Sequence, residues 1–468
     1  MRHSLLRRRL IVLGAFIGVV ALLVVFLKGS SRELELWKQD KIARGERFTL
    51  AEIAPPFSQA AVDWELSLGS VASRLVDYPH NPGLLGLMAT NSLGFAPSIL
   101  HRTDPTSRQA ANFWPEFMVQ LGSNSPVIAE VRALLQARPR GSTFDPTSPF
   151  GRTLDMVARR KIAQGISGAA VGAMRANAHD QVLTNIAALL DLSKSVAGEQ
   201  TVERSICGAI AQLALQLTWE FCQLPGVDEA HLSQLSRLWA NADLFQNLDR
   251  VVEMERALVE FCFELARTNL TEKRNLFVAP GSQPFSERVL NTAFDVLWRS
   301  TSLEKDEYMY LRTMQPLMEG ARAASSNGNY SGMRARLKEH VDLIDAVGDT
   351  RFARFRYSLT LLASQSWGKF MQVMWKREAF RRVTLAAIAV NRYRLRQGRF
   401  PDTLAALAPD LLPAESQDPM SGQPLQPLRY RPLSAEEFVL YSVGENGKDD
   451  GGLGDDIYWP RLDRSRSD

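Results

Sequence analysis

The chain has 468 residues and a mass of 52.2 kDa, more than one compact core usually holds, so two or three folding units are expected. Hydrophobic side chains make up 45% and charged ones 23%, which excludes wholesale disorder and a collagen-like repeat. The formal net charge is +4, but residues 1–28 carry +5 and the rest balances 50 basic against 51 acidic side chains. The basicity is therefore local, and it makes no case for nucleic acid as a partner.

Leu10 to Leu27 reads LIVLGAFIGVVALLVVFL, without a charged or polar side chain. As a helix, eighteen residues reach roughly 27 Å, enough to cross a bilayer core. A cleaved secretory signal has a shorter apolar run and ends in a small-x-small site, whereas Lys28-Gly29-Ser30-Ser31 follows here. The expectation is a basic cytoplasmic tail over 1–9 and a single transmembrane anchor over 10–27. Arg2, Arg7, Arg8 and Arg9 crowd the tail, so the positive-inside rule places the remainder of the chain on the far side. Gly14 and Gly18 form a G-x-x-x-G, a spacing that lets two such helices pack closely as a homodimer. The chain has 3 Cys, too few for a disulfide scaffold. Cys207 and Cys222 share one expected helix at about 22 Å, too far apart to bridge, while Cys262 could pair with either or stay a buried thiol.

Residues 28–150 read as a juxtamembrane helix followed by a loop-rich region with short helical islands. One island is expected to start at Ser125-Pro126, with the proline in its first turn, and Arg138 to Pro149 reads as a linker. From 151 to 376 apolar residues recur at three- and four-residue spacing, which predicts a domain of long helical hairpins, as a bundle or short solenoid. Gly165, Gly168 and Gly172 line one helix and point to close helix packing. Residues 351–399 hold twelve Lys or Arg against the single acid Glu378. An anion-binding face and a solvated face paired with neighbouring acids both fit that pattern.

Residues 377–460 form a distinct C-terminal module, leaving 461–468 as a tail. A short helix near 402–408 is followed by strand-like segments at 428–431, 437–443 and 457–459, a small α+β arrangement. The turn from Gly444 to Asp456 contains five Gly and five carboxylates. So many acids in one turn repel one another unless a cation or solvent screens them. Ca²⁺ suits such a turn because it accepts six to eight oxygens in irregular geometry. Asn446, Asp449, Asp450, Asp455 and Asp456 are the candidate ligands, and a solvated acidic turn is the competing reading.

The module also resembles a known family. Phe400-Pro401, Asp418-Pro419 with Gly422, Tyr430-Arg431, Tyr441-Ser442-x-Gly444 and Asp456-Ile457 stand in the order found in the periplasmic domain of the type II secretion major pseudopilin, pseudopilin G. In that family the final loop binds calcium through aspartates and main-chain oxygens, which the resemblance extends to Asn446, Asp455 and Asp456. The likeness covers about 80 residues, and no pseudopilin-type cleavage site precedes the apolar helix, so polymerisation as a pilus is not expected. The whole chain looks similar to single-span bacterial envelope proteins that end in this module. That implies a bacterial inner-membrane protein with its C-terminal part in the periplasm.

Catalytic signatures are missing from the sequence. The six His are isolated, no H-E-x-x-H or G-x-S-x-G occurs, and Ser302-x-x-Lys305 lacks its K-T-G partner. The leading expectation is a membrane-anchored scaffold or protein-interaction module with unidentified protein partners. An envelope hydrolase with its cleft between helices is the alternative.

Overall fold

The computed structural model describes residues 31–76, 95–96, 114–150, 155–195, 200–242, 247–277, 285–327, 330–348, 350–412, 416–422 and 424–462. The expected tail and span, with Gly14 and Gly18, lie outside these residues. Among the described residues no helix is long and apolar enough to cross a membrane.

The chain is mainly helical, with a small sheet at its C-terminal end. In order, the first helices are α1 (Ser31–Ala43), α2 (Leu50–Ile53), α3 (Gln59–Ser73), α4 (Trp114–Gln136), α5 (Met156–Arg175) and α6 (His179–Ser195). Next come α7 (Thr201–Cys222), α8 (Glu229–Ala240), α9 (Leu248–Thr268), α10 (Leu270–Phe277) and α11 (Phe285–Thr301). The last are α12 (Leu303–Asn327), α13 (Tyr330–Asp345), α14 (Arg351–Arg356), α15 (Ser358–Ser364) and α16 (Trp367–Gln397). The strands are β1 (Phe95–Ala96), β2 (Arg429–Pro432), β3 (Phe438–Ser442), β4 (Ile457–Tyr458) and β5 (Arg461–Leu462). Two compact units divide the chain: residues 1–54, 252–321 and 334–368, and residues 55–251, 322–333 and 369–468.

In the first unit, Phe263 stacks on Trp298 at 6.4 Å and Tyr310 lies 6.1 Å from Phe263. Around this core runs a belt of charge. Glu253, Arg256, Glu260 and Arg267 recur along α9 at three-, four- and seven-residue steps, which sets them along one side of the helix. Lys38 of α1 pairs with both Glu260 and Glu307, and Arg267 holds the second oxygen of Glu307. Arg256 pairs with Glu46 at 2.5 Å and lies over the Phe48 ring at 4.3 Å, and Arg47 reaches Glu253 at 2.5 Å. The stretch from α1 to α2 is thus pinned by ion pairs as well as by buried Leu34, Phe48, Leu50 and Ile53. Removing one partner of such a buried pair costs far more than the pair contributes, because a desolvated charge is left alone.

Burial, reinforced by the neighbouring Glu307, pushes the Glu260 carboxyl up to about 7 against the pull of Lys38. A raised acid favours the folded state when protonated, so its contribution is complete at acidic pH and is lost as pH rises through about 7. Glu260→Gln is therefore expected to flatten the pH dependence of unfolding between about 4.5 and 7, read from thermal melts of the full chain at several pH values. An unchanged slope contradicts this assignment.

The second unit is built of antiparallel neighbours, α5 against α6 and α6 against α7, with α4 and α3 packed on α5. Caps fix where these helices begin: Ser58 accepts from Ala61 N–H at 3.3 Å and Asp155 from Ala158 N–H at 2.9 Å. Gly172 allows α4 and α5 to approach, since a Cβ there would stand 2.1 Å from Leu121 Cδ2. The close packing expected of the α5 glycines is present at this position. Pro126 does not open a helix as expected; it sits inside α4. Buried Asn124 ties the helix to Val76 through bonds of 2.9 Å to its N–H and C=O.

The three-stranded sheet has the order β2-β3-β4, antiparallel throughout, with Tyr430 opposite Leu440 and Tyr441 opposite Tyr458. Its strands fall on the expected segments. The parallel pair β1–β5, which sets Phe95 beside Arg461, has no local signal in the sequence. The core under the sheet is shared with the helices: Trp219 of α7 packs with Val383, Val390, Phe400, Leu440 and Trp459, and its Nε1 donates to Pro460 O at 2.8 Å. Along α16, Phe380, Thr384 and Ile388 are buried while Leu395 is 49% exposed. Four arginines of α16 find acids nearby: Arg381 and Arg382 on Glu378, Arg392 and Arg396 on Glu229. Cys207, Cys222 and Cys262 are free thiols, and burial pushes Cys222 and Cys262 up to about 12.

Candidate metal centre

The turn between β3 and β4 is held open from inside by one carboxylate. Asp456, 5% exposed, accepts N–H bonds from Gly444 on Oδ1 at 3.2 Å and from Asp450 and Gly452 on Oδ2 at 3.0 and 2.9 Å. Burial nevertheless raises its pKa, since these three bonds only partly offset desolvation. Gly451, Gly452 and Gly454 adopt φ of +74°, +83° and +62°, the left-handed region that lets the backbone curl around the Asp456 side chain.

Gly444 is required for another reason. A Cβ at that position would lie 2.3 Å from Asp455 O, with main-chain atoms that cannot turn aside. Gly444→Ala is expected to lower the stability of the C-terminal region by about 1–3 kcal/mol, measured as faster amide exchange over residues 438–459. Unchanged exchange there contradicts the close approach.

Around this frame the turn gathers three acids. Asp450, Asp455 and Asp456 each place one carboxylate oxygen within 4.8 Å of the others. Two oxygens bound to one Ca²⁺ at about 2.4 Å stand at most about 4.8 Å apart, so the spacing fits a single hard cation. Asp450 is exposed, Asp455 half-buried and Asp456 buried, an arrangement open to solvent on one side. The carboxylate-only donor set suits Ca²⁺ better than a softer metal. Asp456 has one lone pair to spare, on Oδ1, because its other positions are taken by N–H groups.

The other two expected ligands stand differently. Asn446 Nδ2 donates to Asp455 Oδ1 at 2.6 Å and to Asp450 Oδ2 at 3.2 Å, while its Oδ1 accepts from Lys448 N–H at 2.6 Å. Asn446 therefore bridges the two carboxylates with its amide nitrogen and turns its oxygen away. The Asn446 backbone N–H, donating at 3.0 Å, holds Asp455 below the usual carboxylate range. Asp449 faces outward from the triad, accepting from Tyr441 Oη at 2.7 Å and pairing with Arg429 at 3.2 Å, which depresses its pKa. Glu445 pairs with Lys376 of α16 at 3.3 Å, a direct link between the basic helix and the acidic turn.

Asp418 supports the site from beneath. It is fully buried and accepts from Met420 N–H at 2.9 Å, Ser442 Oγ at 2.5 Å and Val443 N–H at 2.9 Å, fastening the end of β3 where the turn departs. The sequence marked Asp418 only through its place in a family pattern; its partners Ser442 and Val443 lie 24 and 25 residues away. Compared with known proteins, the chain matches no protein-family profile, no curated protein and no solved structure.

Proposed function

We propose that the chain is a single-span protein of the bacterial inner membrane that carries its folded units in the periplasm and acts by binding other proteins. In this reading residues 10–27 anchor it, and a Ca²⁺ ion held by Asp450, Asp455 and Asp456 stiffens the C-terminal turn as part of the binding surface. The convergence of those three acids within 4.8 Å on a solvent-facing turn is the observation that carries it. The pseudopilin-like order of motifs from Phe400 to Ile457 supports the same reading. When bound, the ion would offset the mutual repulsion of the carboxylates and free Asn446 from bridging them.

The other convergence of charge, Lys38 with Glu260 and Glu307, gives the hydrolase reading little. Glu307 is fully buried and tied on both oxygens by Lys38 and Arg267, which suits a clamp between helices. The topology is tested by protease treatment of spheroplasts expressing the full chain with a C-terminal epitope. Loss of the epitope from intact spheroplasts, with the fragment ahead of the cut retained in carbonate-washed membranes, is expected. An epitope protected until the membrane is broken, or a chain released by carbonate, contradicts the proposal.

A further inference from the structure

In the first unit, α11 is buried along one narrow edge over residues 291–301. Between 291 and 301 only Asp295, Trp298 and Thr301 are buried, a repeat of three that leaves most of the helix circumference outside. On this stretch Phe294, Val296 and Leu297 are 42%, 49% and 44% exposed. α14 packs beside it, with Phe355 edge-on to Phe294 at 5.0 Å, and adds Phe352, 50% exposed. Arg299, Arg351 and Arg354 are exposed on the same two stretches, and the Arg356 guanidinium lies over the Phe352 ring at 4.6 Å. The one acid in residues 291–301 and 351–356 is Asp295, buried against Lys273 at 3.4 Å.

Apolar side chains exposed in a group usually mark a surface that another body covers. Here the composition selects the body. Aromatic and aliphatic groups that can enter an acyl boundary, fringed by arginines and with no exposed carboxylate among residues 291–301 and 351–356, match the needs of an anionic lipid surface. We propose that the face formed by α11 and α14 docks on the anionic headgroups of the membrane that holds the chain. This rests on the reading of residues 10–27 as an anchor. α1, in the same unit, begins at Ser31, four residues after Leu27, and four extended residues span only about 14 Å. The tether therefore keeps this unit at headgroup distance.

The test uses the full chain in lipid nanodiscs, made from phosphatidylcholine alone or mixed with phosphatidylglycerol, followed by hydrogen exchange. Amides of 291–301 and 351–356 are expected to exchange at least ~3-fold more slowly in the anionic discs. Salt at about 1 M, where the screening length falls to ~3 Å, should remove the difference. Leu297→Ser and Phe352→Ser, both at exposed positions, should remove it while leaving exchange elsewhere unchanged. Equal exchange in the two kinds of disc overturns the proposal. So does protection that ignores lipid charge and grows with protein concentration, the mark of a second copy on this face. A chain that enters neither disc overturns the anchor and this proposal together, whereas one that enters without lipid-selective protection overturns this proposal alone.

Discussion

Asp306→Ala is expected to destabilise the first unit by about 3–5 kcal/mol. Asp306 is fully buried, and its carboxylate accepts from the Trp298 indole N–H and from the backbone N–H groups of Leu359 and Thr360, each at 3.0 Å. One side chain thereby joins α11 to the start of α15. Burial pushes the acid up to about 6, so desolvation outweighs the three donors that pull the other way. Alanine leaves three desolvated N–H groups without acceptors and a void beneath Trp298. Asp306→Asn keeps one acceptor oxygen but turns an NH₂ toward a donor, so it should fall between wild type and alanine. Thermal unfolding followed by Trp fluorescence, with hydrogen exchange to locate the change, measures both. A loss below about 1 kcal/mol contradicts the buried-acceptor role.

The second large effect is expected at Asp418. Asp418→Ala removes the acceptor for Met420 N–H, Val443 N–H and Ser442 Oγ in one step, at an expected cost of about 3 kcal/mol. Val443 directly precedes Gly444, where the acidic turn leaves the sheet and where Asp456 takes its first N–H bond. The same substitution should therefore loosen the turn and weaken cation binding, although Asp418 is no part of the acidic triad. Exchange over residues 416–459 is the readout for the first effect and Ca²⁺ affinity for the second. Unchanged affinity with a large stability loss would separate the two and remove Asp418 from the support of the site.

What the sequence could reveal depended on distance along the chain. Helices followed from local periodicity, and the three strands of the C-terminal sheet from local alternation, because both signals are complete within a few residues. The density of acid between Gly444 and Asp456 was equally visible. Which acids converge was not, because that depends on three positive-φ glycines and on Asp456 turning inward to collect N–H groups. Asp449 looked equivalent to Asp450 until Arg429 and Tyr441 drew it aside. The ion pairs of Lys38 join residues 222 and 269 positions apart, and Asp306 reaches partners 53 and 54 positions on. No local pattern encodes such pairings. Pro126 misled for the converse reason: a local helix-start signal was overridden by tertiary anchoring through Asn124.

The proposed cation site of the turn is formed by Asp450, Asp455 and Asp456. Calorimetric titration of the full chain in detergent with Ca²⁺ tests it most directly. One saturable site is predicted, with a rise in melting temperature on binding. Asp450→Ala and Asp455→Ala should abolish the heat, whereas Asp449→Ala, which removes an acid paired with Arg429, should retain it. Absence of both heat and thermal shift in the wild-type chain, or loss of binding in Asp449→Ala with retention in Asp455→Ala, would contradict the account.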